Sequence, residues 1–581
     1  MLVKFMHLFQ NNSKIGHFNL LHKYVFKMDK AYLRKIKDTD QFEISFHYSD
    51  STTSINRQFN FCRNLNETIA AFLNRITINV EKVLNKKKAK KKSNTDLQNI
   101  VVNVQLLENT ELVNGERTCK ELFVENVANE LILSVLNKEY AIVINSPWIN
   151  TLQLPKSIMA NFPVYPSKFE ADLIDKNLSE FMWFKSNNKN DWILVGSKFI
   201  YIPNNSDVQD YLKITCLPRN ENAVGPIVEV ISDIPVEASP GYCPFETRHK
   251  FTVQKTTANE CRIVSYNILA DLYTDSEFSR TTLFPYCPVY ALSMDYRKQL
   301  IMKELIGYNA DIICLQELDR KIFINDIEPV FNSLNYTCSL QLKGGEVGEG
   351  LGCIFSNERF RFLESCSMVY GEQIDKDPLF ADIWEKISLN QKLVERFTQR
   401  TTVIGITVLE CLDNNEVLLV ANTHLYFHPD SDHIRLLQGA VAIRYVNNKM
   451  EYLKAKYNKK ISLVFCGDFN SVPECGIYKL YTEGFVSEDF LDWRSNEAEA
   501  VEGLSVIQPL QLDSACGTPK YTNFTKGFAA CLDYIYYNKS SFEVTQIIPF
   551  PSDEELMEHV ALPSVVLPSD HIALVADLKW R

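Results

Sequence analysis

Apolar and polar residues alternate near the start of the chain and later recur at helical spacing. Phe42, Ile44 and Phe46 alternate with polar neighbours, which predicts a half-buried strand. Apolar residues then recur every three or four positions, which predicts an amphipathic helix; they are Ile69, Phe72, Leu73, Ile76, Val80, Val83 and Leu84. Strands are also expected over residues 100–107 and 131–136. Residues 40–145 should therefore form a small α+β domain.

A run of six lysines follows the predicted helix, and it has two interpretations. The lysines are Lys86, Lys87, Lys88, Lys90, Lys91 and Lys92. Such a run is usually a solvated, disordered tether, which we predict here. An arm that contacts RNA is the alternative.

Residues 147–218 change in character, because prolines separate short apolar runs. Short strands divided by turns indicate a β-sandwich. Trp183 lies on one predicted strand, and residues 207–214 resemble the tyrosine-corner strand of immunoglobulin-like domains. We therefore predict an immunoglobulin-like β-sandwich over 147–218, followed by a linker over 219–250 that contains several prolines and glycines.

From residue 251 to residue 581 the pattern becomes repeated apolar strands that end in polar clusters. The candidate residues at these ends are Asn267, Glu317, His424, Asp468, Asn470, Asp533, Asp570 and His571. In a sheet protein, strand ends are where side chains from distant parts of the chain converge on one rigid site. Carboxylate and amide oxygens suit Mg²⁺ or Mn²⁺ rather than zinc, and phosphodiester hydrolysis uses such ions.

Composition narrows the class of protein. The chain has 581 residues, 46% of them hydrophobic, and a formal net charge of −11. No stretch approaches the ~18 apolar residues of a membrane span, so no membrane partner is expected. The negative charge argues against non-specific coating of nucleic acid. The 15 cysteines lack metal-site or disulfide-scaffold spacing, which favours a reducing compartment.

The first 28 residues contain Lys4, Lys14, Lys23 and Lys27 but no acidic residue. Basic, acid-poor segments of this kind are typical of mitochondrial transit peptides, so we predict import into the mitochondrial matrix. As the alternative, Met28 is the working start and the protein is cytoplasmic.

The order of the strand-end motifs resembles the exonuclease-endonuclease-phosphatase superfamily over residues 262–581. The matching motifs are Asn267, Gln316-Glu317, Thr423-His424, Gly467-Asp468-Phe469-Asn470, Leu532-Asp533-Tyr534 and Ser569-Asp570-His571. The resemblance implies a four-layered α/β sandwich, in which two packed sheets are flanked by helices and the site lies at the strand ends.

The resemblance also implies a metal site. Glu317 matches the principal Mg²⁺ ligand, and Mn²⁺ is possible. Asn267 and Asp570 would complete or flank the site, Asn470 would hold phosphate or metal, and Asp468 would lie at the metal as well. The number of ions stays open.

The remaining roles concern the reacting groups. Asp468 matches the residue that aligns or deprotonates the attacking water. His571, oriented by Asp533, would stabilise the scissile phosphate, and His424 would contact that phosphate from another side. The identity of the general base stays open.

Resemblance to the deadenylase branch of the superfamily is carried by residues 265–273, 286–288, 295–298, 422–429 and 521–525. Within that branch the chain resembles the mitochondrial 2′,5′-phosphodiesterases, over residues 152–155, 158–164, the lysine run, 249–297 and 560–580. This implies release of 5′-AMP from RNA with a poly(A) 3′ end and from 2′,5′-oligoadenylates, with no DNA substrate and with protein partners unknown. Phe528 would stack on a base, and Pro429 would join His424 and Asn470 in binding substrate. Ordinary core packing is the alternative for Phe528.

One loop departs from the family pattern, and two rival functions stay open. The glycine-rich loop over residues 343–351 is longer than usual and receives no role. A related enzyme could act on a phospholipid head group or a nucleotide phosphate. A non-catalytic binding module is disfavoured, because Glu317, Asp468, Asn470 and His571 are all intact.

Overall fold

The structure is a computed structural model that describes residues 28–90, 101–125 and 130–581. The predicted transit peptide lies outside these residues except for Met28. Backbone contacts divide the chain into two compact units. One contains the residues up to 151 together with 170–180 and 216–228, and the other contains 152–169, 181–215 and 229–581. No helix in the described ranges has both the length and the apolarity that crossing a membrane requires.

A seven-stranded sheet dominates the first unit. Its strands are β1 Asp29–Lys35, β2 Gln41–Asp50, β3 Ile55–Asn64, β4 Val104–Glu108, β5 Glu111–Leu112, β6 Leu131–Val135 and β7 Lys138–Ile144, in the order β3-β2-β1-β7-β6-β4-β5. The domain therefore begins before residue 40, because β1 runs parallel to β7 inside the sheet.

The predicted amphipathic helix is confirmed as α1, Ile69–Lys90. Its apolar stripe, which includes Ile69, Phe72 and Ile76, is buried. The helix continues through Lys86 to Lys90, so the tether interpretation is wrong for that part of the lysine run. Lys91 and Lys92 lie outside the described residues.

Residues 148–231 form short strands, as predicted, but the predicted boundaries differ from those observed. The strands are β8 Trp148–Gln153, β9 Lys168–Asp172, β10 Glu180–Ser186, β11 Ile193–Gly196, β12 Tyr211–Leu217 and β13 Val228–Ile231. Four of them form a sheet in the order β11-β10-β12-β13, and Trp183 is fully buried on β10. Residues 219–250 are therefore not a simple linker. They supply the edge strand β13 and the helix α2, Pro244–His249, whose Phe245 is buried.

The rest of the chain is built on two six-stranded sheets. Its strands are β14 Glu260–Asn267, β15 Ile312–Asp319, β16 Tyr336–Leu342, β17 Glu349–Ser356, β18 Phe360–Val369, β19 Val403–Cys411, β20 Val417–His424, β21 Ile461–Asp468, β22 Phe485–Val486, β23 Val506–Ile507, β24 Leu512–Ser514, β25 Asn523–Phe524, β26 Ala529–Ala530, β27 Asp533–Asn538, β28 Phe542–Ile547 and β29 Leu574–Trp580. Sheet A has the order β16-β17-β15-β14-β29-β28, and sheet B has the order β18-β19-β20-β21-β27-β24.

Helices follow or connect these strands. They are α3 Val289–Leu292, α4 Met294–Gly307, α5 Arg320–Ile322, α6 Glu328–Ser333, α7 Tyr370–Gln373, α8 Ala381–Ile387, α9 Gln391–Thr398, α10 Asp432–Tyr457, α11 Gly476–Glu483 and α12 Asp553–Met557. Ile263 of sheet A and Val464 of sheet B share one buried core. A second core joins Leu437 of α10 to Phe465 of sheet B. The catalytic part is thus a mixed α/β structure with strand ends from both sheets available for one site.

Candidate active site

Strand pairing brings the predicted residues together at one edge of the two sheets. In sheet A, β14 and β15 run parallel and place Asn267 beside Gln316, the neighbour of Glu317. In sheet B, β20 and β21 run parallel and pair His424 with Asp468. Asp468 also pairs with Asp533 across the antiparallel strand β27. Residues distant in sequence therefore meet because their strands end at the same level.

A β-bulge in β15 orients the side chain of Glu317. Leu315 pairs with Gly352 and Leu318 with Gly350, so two residues of β15 face one residue of β17. Glu317 has a φ of +55°, a left-handed conformation that costs a side-chain-bearing residue free energy. A Cβ on Gly350 would lie 2.1 Å from the carbonyl oxygen of Gln341. The pairing of β17 with β16 on its other side therefore requires glycine at position 350.

Gln316, the other bulged residue, joins the two sheets. Its Nε2 donates to Asn422 Oδ1 at 2.8 Å, and Asn422 Nδ2 donates to the carbonyl oxygen of Leu315 at 2.9 Å. Gln316 and Asn422 are both buried. Because these buried hydrogen bonds run from one sheet to the other, the pair fixes sheet A against sheet B next to the site.

Asn267 connects the two central carboxylates. Its Nδ2 donates to Glu317 Oε1 at 2.9 Å and to Asp468 Oδ2 at 3.0 Å, and its Oδ1 accepts from the backbone N–H of Leu269. The backbone N–H of Ala270 donates to Glu317 Oε2 at 2.9 Å. Asn267 was predicted at the metal, and in this structure it spaces the carboxylates as a donor.

Asn470 is held close to Asp468 by its own backbone. Its φ is +50°, and its backbone N–H donates to Asp468 Oδ1 at 2.9 Å. Its Nδ2 donates to the carbonyl oxygen of Leu425, just after His424. The turn after β21 thereby orients Asp468.

Two histidines face one oxygen of Asp468. Nε2 of His424 and Nε2 of His571 each lie 3.6 Å from Asp468 Oδ2, and His571 Nδ1 lies 2.8 Å from Asp533 Oδ2. The segment that carries His571 is fixed, since Ser569 Oγ donates to the backbone carbonyl of Asn267 and accepts from the His571 N–H. The predicted pair of Asp533 and His571 is therefore present in this arrangement.

The two histidines have opposite charge preferences. Burial alone would lower the pKa of His571, but Asp533, Asp468 and Asp570 together raise it well above the usual value. Burial, with the nearby charges of Lys343 and His571, lowers the pKa of His424 well below the usual value. At neutral pH, His571 is a cation and His424 a neutral imidazole.

The carboxylates form a site that favours a cation. Burial, followed by the neighbouring Glu349 and Asp570, raises the pKa of Glu317 to about 7. Burial and the carboxylate of Asp533 raise the pKa of Asp468 to about 7. Like-charged, buried oxygens of this kind are what a divalent cation neutralises.

Geometry alone identifies a second possible set of metal ligands. Asp468, Asp533 and His571 each offer an atom within 4.8 Å of the others. However, Nδ1 of His571 and Oδ2 of Asp533 are hydrogen-bonded to each other at 2.8 Å, so each of these atoms already has a partner. The oxygens of Glu317 and Asp468 are therefore the better donors.

The predicted substrate residues Phe528 and Pro429 are exposed. Phe528 is 51% exposed on the turn between β25 and β26, so its core-packing alternative is wrong. That hairpin is attached to the site, because the backbone N–H of Phe524 donates to the carbonyl oxygen of Asp570. Pro429 lies on the exposed turn that follows His424.

The strand-end motifs gave no role to Arg297, a fully buried arginine on α4. Its Nη1 donates to the carbonyl oxygens of Ile268, Leu269 and Pro568, so one guanidinium holds both the segment after Asn267 and the segment before His571. An arginine on an otherwise apolar helical stripe is the signal that would have identified it.

Comparison with known proteins gives consistent matches. The sequence profile described as "Endonuclease/Exonuclease/phosphatase family" matches residues 264–571, and the profile of the 2′,5′-phosphodiesterase 12-like N-terminal domain matches residues 146–237. The chain is 38% identical to 2′,5′-phosphodiesterase 12 of Rattus norvegicus over 96% of both chains.

More distant matches cover the catalytic part. The CCR4-Not complex 3′-5′-exoribonuclease subunit Ccr4 of Schizosaccharomyces pombe is 30% identical over 55% of this chain and 49% of that protein. Among solved structures, that of ANGEL2, a 2′,3′-cyclic phosphatase, aligns with a TM-score of 0.46 and 22% identity over 55% of this chain and 96% of that chain.

Proposed function

Because this chain belongs to the endonuclease/exonuclease/phosphatase family and is a phosphodiesterase, we propose that it releases 5′-AMP from 2′,5′-oligoadenylates and from RNA with a poly(A) 3′ end. The observation that carries this proposal is the similarity along 96% of the chain to a relative named 2′,5′-phosphodiesterase 12. Similarity to an exoribonuclease subunit supports the second substrate.

The residues of the site fit Mg²⁺, with Mn²⁺ as the alternative ion. Glu317 and Asp468 would hold it, with Asn470 and Asp570 beside them and Asn267 spacing the two carboxylates. When bound, the ion supplies positive charge that offsets the negative charge developing on the phosphate oxygens.

The residues around Asp468 would handle the proton and the phosphate. Asp468 aligns the attacking water or accepts its proton. The new P–O bond forms from that water while the bond from phosphorus to the 2′- or 3′-oxygen of the preceding ribose breaks, and that oxygen takes up a proton from solvent. His571, held in its charged form by Asp533, donates a hydrogen bond to a phosphate oxygen, and neutral His424 contacts the phosphate from the opposite side.

The exposed ring of Phe528 would hold an adenine base. Stacking of a base on an aromatic ring is worth ~1–3 kcal/mol. Pro429 would line the other side of the substrate. The hairpin of β25 and β26 connects Phe528 to the segment carrying Asp570, which relates base binding to the site of cleavage.

Further parts of this proposal concern architecture and location. We infer a four-layered α/β sandwich for the catalytic part and an immunoglobulin-like arrangement for the strands between residues 147 and 231. Residues 1–28 act as a transit peptide that directs the protein to the mitochondrial matrix. The alternative is that translation starts at Met28 and the protein is cytoplasmic.

The test is to incubate full-length protein and Mg²⁺ with two oligoadenylates that differ only in linkage, 2′,5′ or 3′,5′. Free 5′-AMP that appears from the first turnover supports exonucleolytic phosphodiester cleavage. Release of inorganic phosphate from 5′-AMP, with both oligoadenylates intact, would instead indicate the rival phosphatase activity.

A further inference from the structure

Lys343 and Glu349 close the glycine-rich loop beside the catalytic carboxylates. The backbone N–H of Lys343 donates to the carbonyl oxygen of Glu349 at 3.1 Å, and the Lys343 ammonium forms an ion pair with Glu349 Oε1. Tyr273, at the end of the segment that follows Asn267, donates its hydroxyl to the same oxygen at 3.1 Å. Three parts of the chain therefore meet at Glu349.

Glu349 is positioned by sheet A and is almost completely buried. Its side chain is 1% exposed, and Oε2 has no hydrogen-bond partner among the described residues. It pairs with Asp319 across β15 and β17, two residues beyond Glu317. Burial of a carboxylate with an unpartnered oxygen is unfavourable. Such an arrangement is expected where the group has a task besides stability.

Lys343 lies near the active site, because its partner Glu349 pairs with Asp319, two residues beyond Glu317. Its side chain is 13% exposed. Its charge acts on groups of both sheets, because it partly offsets the burial that raises the pKa of Glu317 and adds to the burial that lowers the pKa of His424. An ammonium has three donors, and within the described residues Glu349 accepts from one of them. Two of its donors have no acceptor among the described residues.

We propose that Lys343 is a further catalytic residue that contacts a nonbridging oxygen of the scissile phosphodiester, and that Glu349 and Tyr273 are positioning residues that hold its ammonium there. The inference rests on the proposed function, since it assumes that the site cleaves a phosphodiester. Lys343 supplies charge and hydrogen bonds only, so the bonds formed and broken are those of the hydrolysis already described.

The first experiment uses Lys343→Ala and Lys343→Arg in the full-length protein with Mg²⁺. A charge-assisted hydrogen bond to phosphate corresponds to a loss of about 10- to 100-fold in kcat/KM for Lys343→Ala. The loss should be similar for 2′,5′-triadenylate and for the p-nitrophenyl ester of thymidine 5′-monophosphate, a phosphodiester without adenine. Lys343→Arg should retain most of the activity, and added methylammonium should partly restore Lys343→Ala.

Lys343→Ala removes the ion-pair partner of the buried Glu349, which is expected to destabilise the fold. A second variant therefore distinguishes loss of activity from unfolding. Lys343→Met combined with Glu349→Gln removes both charges at similar volume, so it should fold and still lose activity to the same degree. Glu349→Gln alone should lower kcat/KM less. Lys321→Ala, which removes an exposed lysine from the nearby turn α5, should leave kcat/KM unchanged.

The outcomes separate the two proposals. If wild-type protein leaves oligoadenylates intact, the proposed substrate is wrong, and Lys343 is then tested by calorimetric binding of inorganic phosphate, which Lys343→Ala should weaken at least tenfold. If the folded double variant keeps kcat/KM and phosphate affinity within twofold of wild type, Lys343 only locks the loop and the inference is overturned.

Discussion

The two sheets contribute different chemistry to the same site. The strands of sheet A carry Glu317 and the neighbouring Glu349 but no histidine, together with Asn267, which donates to Glu317. Sheet B brings His424 and Asp468, which also faces His571. The sheet A half is therefore suited to hold a cation, and the Asp468 half is suited to move a proton.

The largest expected effect comes from the cation half. Glu317→Ala should abolish turnover, because it removes the central buried carboxylate, and thermal melting without Mg²⁺ should change little. The stabilisation that Mg²⁺ gives to the wild type should also disappear, which differential scanning calorimetry measures. Glu358→Ala, an exposed acid after β17, is the control. If the Glu317→Ala enzyme is active, the sheet A half does not hold the cation, and the proposed difference between the two halves is wrong.

The Asp468 half should respond differently. Asp468→Asn keeps the size of the side chain but removes its charge, so turnover should fall by ~10²–10⁴. Affinity for oligoadenylate should survive or improve, since a negative charge beside a polyanion is lost. Rapid-quench kinetics and equilibrium binding measure the two quantities. Equal loss of binding and turnover through unfolding, or near-normal turnover, would contradict the assignment.

Phe528 lies in neither half and is proposed to bind the base of the substrate. Its replacement should therefore change substrate binding and leave the chemical step unchanged. Phe528→Ala should raise KM for triadenylate about tenfold through loss of base stacking, with kcat little changed. Phe528→Trp should retain binding. Phe485→Ala removes a ring of similar exposure on β22 and should have no effect. A fall in kcat alone would mean that Phe528 does not bind a base.

A change of pH should have a smaller effect, which acts on stability through one carboxylate of each half. The pKa values of Glu317 and Asp468 rise from 4.5 and 3.8 to about 7. Their contribution to stability is therefore fully present below pH ~4 and is lost as the pH rises through 7. The melting temperature without Mg²⁺ should fall as the pH rises through this window. Added Mg²⁺ should raise the melting temperature more at pH 8 than at pH 5. Combining Glu317→Gln and Asp468→Asn should flatten the dependence; an unchanged slope would refute it.

The smallest expected effect on catalysis lies outside both halves. Removal of residues 1–28 should leave the turnover of purified enzyme unchanged, because no strand-end motif lies there. The same deletion should abolish mitochondrial import of a fluorescent fusion. Mitochondrial fluorescence without these residues would show that the signal lies elsewhere.

The strand-end residues were predictable because each follows an apolar run, and family resemblance, now confirmed, gave them roles. The partners across strands were not predictable. Glu349 and Lys343 lie at the ends of a loop whose composition indicates only flexibility, and their meeting depends on the register of β16 against β17.

The first strand and the edge strand of the small sheet were missed for a different reason. Residues 29–35 carry few apolar side chains, because β1 gains its stability from pairing on both sides rather than from a strong alternating pattern. Val228–Ile231 lies among turn-forming residues that indicate a linker. Pairing partners distant in sequence decide both cases.

Glu317 and Asn470 both stand in left-handed backbone at the site; asparagine adopts this conformation readily, whereas glutamate carries about 1–3 kcal/mol of strain there. Glycine at 317 would relieve that strain and would also remove a buried acid. Substitutions that silence the enzyme are thus among those its fold tolerates best. If selection acted on folding alone, Glu317 would be among the first residues to be replaced. A homologous protein that keeps Glu317 has therefore been under selection for activity.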